Sequence, residues 1–146
     1  MLLGFKRQFE PYVLDGSKTH TVRARRKIRP RVGQRCDCYG DVRQKTMHLL
    51  GRWPCVRVES IKIANASTID LLQGDCPLRV WIEGSELSAR EVELFFIRDG
   101  FRNHPDPDLH WAPVCLAAAF WFDRLVDGPW EGDLIHWDYS KPMEKK

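Results

Sequence analysis

The sequence has no apolar run long enough to cross a bilayer. Its longest, Val114 to Phe122, falls far short of the roughly 17 to 25 residues that a membrane helix needs. The apolar start, Met1 to Phe5, turns charged at Lys6, which is not the basic-then-apolar order of a secretory signal. The chain also lacks internal repeats and a Gly/Ser-rich linker. We therefore expect a cytoplasmic protein with no membrane partner, folded as a single domain over residues 1–146.

Cysteine pairs of the CxxC type are missing, although the chain has five cysteines. An odd number leaves one thiol over in any disulfide scheme, so we expect reduced thiols in a reducing compartment. A zinc site built from Cys36, Cys38, Cys55 and His48 stays open as an alternative. Cys36 and Cys38 would share one face of a strand, which suits core packing as well as ligation, and structural zinc sites space their paired cysteines more widely. We expect no metal and no cofactor.

Acidic residues are missing from one long segment. Between Lys18 and Arg35 there are eight Lys or Arg side chains and not one Asp or Glu, although the whole chain has a net charge of only +3. Residues 1–63 contain 15 basic and 5 acidic side chains, and residues 64–146 contain 8 and 15, so the halves are +10 and −7. This asymmetry predicts a surface that faces a polyanion. The alternative is a solvated loop.

Hydrophobic periodicity and turn residues predict an α+β fold with β-strands first and helices late. In the longest predicted strand, Val56 and Val58 are expected to face inward, followed by Ile61 and Ile63 at the opposite parity. Such a switch indicates a bulge or a barrel corner. The predicted strands are Leu2–Phe5, Thr19–Arg25, Arg35–Tyr39, Thr46–Leu50, Pro54–Ile63, Arg79–Ile82, Glu86–Leu87 and Gly132–Trp137. The predicted helices are Phe9–Asp15, a helix that begins at the Ser88–Glu91 capping box and ends at Asp99, and Trp111–Val126.

One short motif follows the first predicted helix. The string Gly16-Ser17-Lys18-Thr19-His20-Thr21-Val22-Arg23 resembles the Gly-x-Lys-x-x-Thr-x-Arg signature of the ASCH domain family, which belongs to the PUA-like superfamily. The order of strands and helices around the motif is also similar over nearly the whole chain. The resemblance implies a small PUA-like β-barrel with flanking helices, and a cleft that binds RNA or a modified nucleoside.

Characterised bacterial members of that family act as amidohydrolases that remove the acetyl group from N(4)-acetylcytidine. The resemblance then implies that Lys18 is the proton acceptor and Thr21 the nucleophile. The proton donor, a glutamate in those members, aligns with Asp99, while Glu86 and Glu83 are weaker candidates. Aspartate is one methylene shorter, which is a departure from the family pattern. Other members bind RNA or cleave it, so two alternatives stay open: a non-catalytic RNA-binding module and a metal-independent ribonuclease.

The residues themselves give this chemistry a physical basis. A threonine hydroxyl needs a base to become a nucleophile, and lysine serves as that base only when its pKa is lowered towards neutrality. Burial and the neighbouring cations Arg23 to Lys27 would both disfavour the ammonium form of Lys18. Lys18 and Thr21 would face opposite ways on one regular strand, so we expect Lys18 to lie in the turn after Gly16. The alternative is that Lys18 and Arg23 are phosphate contacts and Thr21 is an ordinary strand residue.

The remaining site candidates are side chains and backbone groups that would hold the ligand. Arg23 and the backbone near Ser17 are the expected donors to an oxyanion, and Tyr39 and Trp53 are candidates to stack on a base. The predicted ligand-binding residues are Gly16, Ser17, Arg23, Arg25, Arg26, Lys27, Arg29, Tyr39 and Trp53. The segment Asn103 to His110 either covers the cleft or only connects two helices.

Overall fold

The structure is a computed structural model that describes residues 1–102, 106 and 108–143. The chain divides into two compact units, residues 1–58 with 134–146 and residues 59–133. The first has 17 basic and 6 acidic side chains, a net of +11, and the second has 6 and 14, a net of −8. We call them the basic unit and the acidic unit. The expectation that they form one domain stays a prediction.

The basic unit contains strands β1 to β3, helix α1 and parts of two longer strands. β1 pairs in parallel with β3, and β3 pairs antiparallel with the first part of β4. β2 pairs with β7, and the N–H of Trp137 donates to the carbonyl of Thr19 at 3.0 Å. Side chains alternate along β1 and β3, so that Leu3, Phe5, Cys36 and Cys38 enter the core. The bounds are β1 Leu2–Phe5, a 3-10 turn Arg7–Phe9, α1 Glu10–Asp15, β2 His20–Ala24, β3 Arg35–Gly40, β4 His48–Asn65 and β7 Trp130–Trp137.

The turn between α1 and β2 places Lys18. α1 admits Pro11 in its first turn and ends at Gly16, whose φ of 81° is in the left-handed region that glycine adopts at little cost. The N–H of Lys18 donates to the carbonyl of Tyr12 at 2.9 Å, and β2 begins only at His20. The structure therefore confirms that Lys18 lies in the turn and not on the strand with Thr21.

The acidic unit pairs the last part of β4 with β5, and β5 with β6, both antiparallel. The predicted capping box of α3 is confirmed: Ser88 Oγ accepts from the N–H of Glu91 at 3.2 Å, and the Glu91 carboxylate accepts from the N–H of Ser88 at 2.9 Å. α3 ends at Gly100, with φ of 107°. α4 packs on α3 and leaves Phe122 67% exposed. The bounds are α2 Thr68–Leu72, β5 Leu78–Ile82, β6 Ser85–Glu86, α3 Ala89–Asp99 and α4 Ala112–Leu125.

The α+β class is observed, but the barrel is not confirmed. The strand order is β1-β3-β4-β5-β6, with β7 joined to β4 and β2, and over the described residues this sheet does not close. The predicted parity switch in β4 is wrong, because Cys55, Ile61 and Ile63 are buried at one parity while Val56 is 48% exposed. β-branched valine suits either face of a strand, so its presence did not identify the core face. No helix in the described part of the chain is both long and apolar enough to span a membrane.

Candidate active site

Lys18 is buried in an aromatic environment in the basic unit. Lys18 is only 3% exposed. Its ammonium lies 5.2 Å from the ring centre of Phe9 and 5.9 Å from that of Phe5. Burial disfavours the ammonium form, whereas the aromatic faces stabilise it by cation–π attraction. Burial and the aromatic faces therefore act on the Lys18 ammonium in opposite directions.

Thr21 and Arg23 share one face of β2, two residues apart. Thr21 is 5% exposed, and Arg23 Nε donates to Thr21 Oγ1 at 3.1 Å. A second nitrogen of the Arg23 guanidinium donates to the carbonyl of Gly4 on β1, and the guanidinium carbon lies 5.0 Å from the Phe5 ring centre. Arg23 thus fixes its cationic group against the Thr21 hydroxyl, where it would stabilise negative charge on that oxygen.

The turn residues Gly16 and Ser17 position Lys18 through contacts within the protein. A Cβ on Gly16 would lie 2.6 Å from the ring of Tyr139, and the Tyr139 hydroxyl donates to the carbonyl of Leu14 at 2.6 Å. Both the N–H and the hydroxyl of Ser17 donate to the Asp15 carboxylate, at 2.8 and 2.6 Å. The structure therefore assigns both residues a role in building the turn, and their predicted role in ligand binding stays a prediction.

The two aromatic candidates differ in what covers them. The Trp53 ring is stacked on Trp137 at 6.3 Å and lies 5.3 Å from Tyr139, and Trp53 is 5% exposed. As placed, Trp53 has no face open to a base, whereas Tyr139 at the outer end of this stack is 37% exposed. Tyr39 is half-buried, and its hydroxyl accepts from Arg52 at 3.0 Å. The role of Tyr39 in stacking on a base stays a prediction.

The basic segment after β2 is on the surface. Arg25, Arg26, Lys27 and Arg29 are all exposed, and Arg26 donates to the carbonyl of Leu2 at 3.0 Å. These cations keep their hydration and are accessible to a polyanion. They differ in this respect from Lys18.

The three candidate proton donors all lie in the acidic unit. Asp99 is 5% exposed at the end of α3. Glu86 is exposed and its ion pair with Arg79, at 2.7 Å, holds the pKa of the Glu86 carboxyl below its usual range. Glu83 accepts from the N–H of Ser60 at 2.7 Å. A proton donor must hold its proton near neutral pH, which disfavours Glu86, and the role of Asp99 stays a prediction.

Sequence reasoning missed several neighbours of the site. Phe5 and Phe9 face the Lys18 ammonium, and the buried ring of His20 lies 5.6 Å from that of His136. The sequence predicted a strand over Leu2–Phe5, but no local signal paired Phe5 with Lys18. The approach of Tyr139 to Gly16 joins residues that are far apart in sequence, and no spacing rule predicts it.

The described side chains bear on the predicted zinc alternative. Within residues 1–102, 106 and 108–143, no group of three or more His, Cys, Asp or Glu side chains is arranged to hold a metal ion. The two ring nitrogens of His48 contact the Thr46 carbonyl and Glu10, so the proposed zinc set with Cys36 is not formed. In the segment Asn103 to His110, positions 103–105 and 107 lie outside the described residues, and its role as a cover stays open.

Comparisons of the chain with profiles of known protein families, with curated proteins and with solved structures found no match.

Proposed function

We propose that this protein is an ASCH-type amidohydrolase that removes an acyl group from the exocyclic amine of a modified cytidine, working in the cytoplasm on RNA or on a nucleoside. A small PUA-like barrel is part of this proposal. The observation that carries it is the burial of Lys18 and Thr21 together with the bond from Arg23 to Thr21 Oγ1. Lysine is rarely buried, and a hydroxyl held by a guanidinium is suited to bear negative charge.

The proposed reaction proceeds in two displacements. The neutral amine of Lys18 takes the Thr21 hydroxyl proton as Thr21 Oγ attacks the acyl carbonyl carbon. Arg23 stabilises the oxyanion, and the C–N bond breaks as the leaving amine takes a proton from a general acid, for which the sequence resemblance implies Asp99. In the second displacement the ionised general acid takes a proton from water as the water oxygen attacks the acyl-threonine ester. The Lys18 ammonium returns its proton to Thr21 Oγ as the ester C–O bond breaks, and the carboxylic acid is released.

The test is acetate release from N(4)-acetylcytidine, free and within a short RNA. We expect activity in the native protein, and we expect Thr21→Val and Lys18→Met to lower kcat by on the order of a thousandfold or more, because each removes a group that acts in the transition state. Matched controls are Thr68→Val and Lys45→Met, which alter an exposed threonine and an exposed lysine. Asp99→Asn tests the donor and should lower kcat with little change in KM.

Three outcomes would contradict the mechanism. Activity that persists in either site variant, provided that the variant is folded by circular dichroism, removes Lys18 or Thr21 from it. Loss in the control variants to the same degree shows that the effect is not specific to the site. Cleavage of the RNA chain without acetate release indicates the ribonuclease alternative.

A second candidate, RNA binding without chemistry, is favoured by the exposed cations Arg25 to Arg29. Contacts of these cations with phosphate release counterions, so affinity should fall steeply with salt. In the same experiment this candidate is distinguished by RNA binding that survives Thr21→Val while no substrate is hydrolysed.

A further inference from the structure

A groove of about 400 Å³ lies beside the end of β1 in the basic unit. One wall is the chain from Gly4 to Arg7, and the other is formed by Asp41, Val42 and Gln44 in the turn after β3. This volume is within the range of small-molecule sites. None of the residues predicted from the sequence as catalytic or ligand-binding lines it.

The groove has a cationic rim and an anionic wall. Lys6 and Arg7 are exposed, and the Arg7 side chain is 78% exposed. The Asp41 side chain is only 10% exposed and accepts a hydrogen bond from the Thr46 hydroxyl at 2.7 Å. Two nitrogens of Arg7 donate to the two Asp41 carboxylate oxygens at 3.5 and 3.4 Å, longer than the roughly 2.7 to 2.9 Å of a tight charge-assisted bond. Arg7 can therefore turn to an incoming anion at small cost.

Asp41 is held in place as an ionised acceptor. Its φ of 51° and the φ of 65° at Arg43 are in the left-handed region, and the Asp41 carbonyl accepts from the N–H of Gln44 at 3.0 Å. The hydrogen bonds from Thr46 and Arg7 hold the pKa of Asp41 below its usual range. A carboxylate accepts about four hydrogen bonds, and Thr46 and two nitrogens of Arg7 supply three of them. Asp41 therefore keeps capacity for one hydroxyl group of a ligand, and for more when Arg7 turns to a phosphate.

Two residues that line the groove also contact Arg23 or face Lys18. Gly4 lines the groove, and its carbonyl accepts from the Arg23 guanidinium that also donates to Thr21. Phe5 lines the groove as well, and its ring faces the Lys18 ammonium. Val42 packs where a Cβ on Gly4 would lie, at 2.7 Å, which brings the Asp41 turn against β1. Phe5 thus borders both the groove and the Lys18 ammonium, and Arg23 links the groove wall at Gly4 to Thr21.

We propose that this groove is a ribose–phosphate subsite, in which Lys6 and Arg7 contact a phosphate and Asp41 accepts from the ribose hydroxyls. The inference rests on the proposed function, because it assumes a nucleoside at Thr21. It specifies the substrate class: a ribonucleotide, free or within RNA, is preferred over an unphosphorylated nucleoside and over a deoxyribonucleotide. Ribose hydroxyls are what distinguish RNA from DNA in such a site.

The test is titration calorimetry with three ligands: cytidine 5′-monophosphate, cytidine, and 2′-deoxycytidine 5′-monophosphate. We expect the first to bind the native protein about tenfold or more tightly than either of the others, since each of those lacks a hydrogen-bonded contact to a charged group. Arg7→Gln should remove the preference for phosphate, and Asp41→Asn should remove the preference for ribose. Arg43→Gln, at an exposed cation two residues from Asp41, is the matched control and should change neither.

Binding and catalysis are scored separately, so the two proposals fail in different ways. If the Arg7 and Asp41 variants show the expected changes in affinity but no acetate is released from any substrate, the subsite stands and the hydrolase proposal fails. If acetate is released but all three ligands bind both variants as they bind the native protein, the subsite is overturned. Failure of cytidine 5′-monophosphate to bind, or equal effects of Arg7→Gln and Arg43→Gln, overturns it as well.

Discussion

Replacing Arg23 by lysine tests whether its guanidinium holds Thr21 and β1 together. Arg23 donates to Thr21 Oγ1 and to the Gly4 carbonyl and lies over the Phe5 ring. A lysine keeps the charge but has no planar fork that could serve both acceptors at once. A net hydrogen bond that involves a charged group contributes about 1.5 to 3 kcal/mol, and the cation–π contact about 0.5 to 1. Since Arg23 is half-buried, we expect a loss of about 2 kcal/mol.

The assay is urea unfolding followed by tryptophan fluorescence, with Arg31→Lys as the matched control. Arg31 is an exposed cation of the same basic segment, and its replacement should stay within about 0.5 kcal/mol of the native free energy of unfolding. A double-mutant cycle with Thr21→Val should give a coupling energy of about 1 kcal/mol between Arg23 and Thr21. If Arg23→Lys costs no more than the control, or if the coupling is zero, the assigned hydrogen bonds do not stabilise the fold.

Two further predictions follow from protonation. Burial raises the pKa of Cys36 and Cys38 to about 12, so a thiol reagent at pH 8 should modify these two thiols only after the protein is unfolded in guanidinium. Half-buried Cys115 should react first. Rapid labelling of more than one thiol in the native protein would contradict this. The hydrogen bonds to the Thr46 carbonyl and Glu10 raise the pKa of His48 above 6.5, so its NMR titration should have a midpoint above that value and move down in Glu10→Gln. Because the folded-state pKa of His48 is raised, the contribution of protonated His48 to stability is complete below pH 6.5 and is lost as the pH rises through the raised pKa. A His48 midpoint that is the same in Glu10→Gln as in the native protein would refute this prediction.

Features that depend on neighbours in sequence were predictable. Gly16 indicated a left-handed helix end and therefore a turn for Lys18, and the Ser88–Glu91 box indicated the start of α3. Both are local, because the groups that form them lie within four residues of each other. Helix α2 was not predicted from the sequence, although Ser67 and Asp70 form a second capping box at its start. This local signal was present in the sequence as well.

Features that depend on contacts distant in sequence were not predictable. Side-chain periodicity could not identify the core face of β4, because Val56 is exposed although valine is apolar. The burial of Trp53 under Trp137 and Tyr139 needs the chain end to return to the middle of the chain. The aromatic surroundings of Lys18 likewise form only when β1 and the 3-10 turn Arg7–Phe9 pack against the Gly16–Arg23 motif. The residues of the motif do not by themselves predict this packing.

Burial separates the cations of the basic unit into two groups that suit different chemistry. A side chain that only contacts phosphate gains affinity by counterion release and needs no burial, and the exposed Arg25 to Arg29 fit that role. Lys18 is 3% exposed, and its desolvation is a cost that phosphate contact alone does not require. Desolvation favours the neutral amine of Lys18, whereas the Phe5 and Phe9 rings favour its ammonium form. The contrast in exposure therefore distinguishes the lysine proposed for catalysis from the cations proposed to contact phosphate.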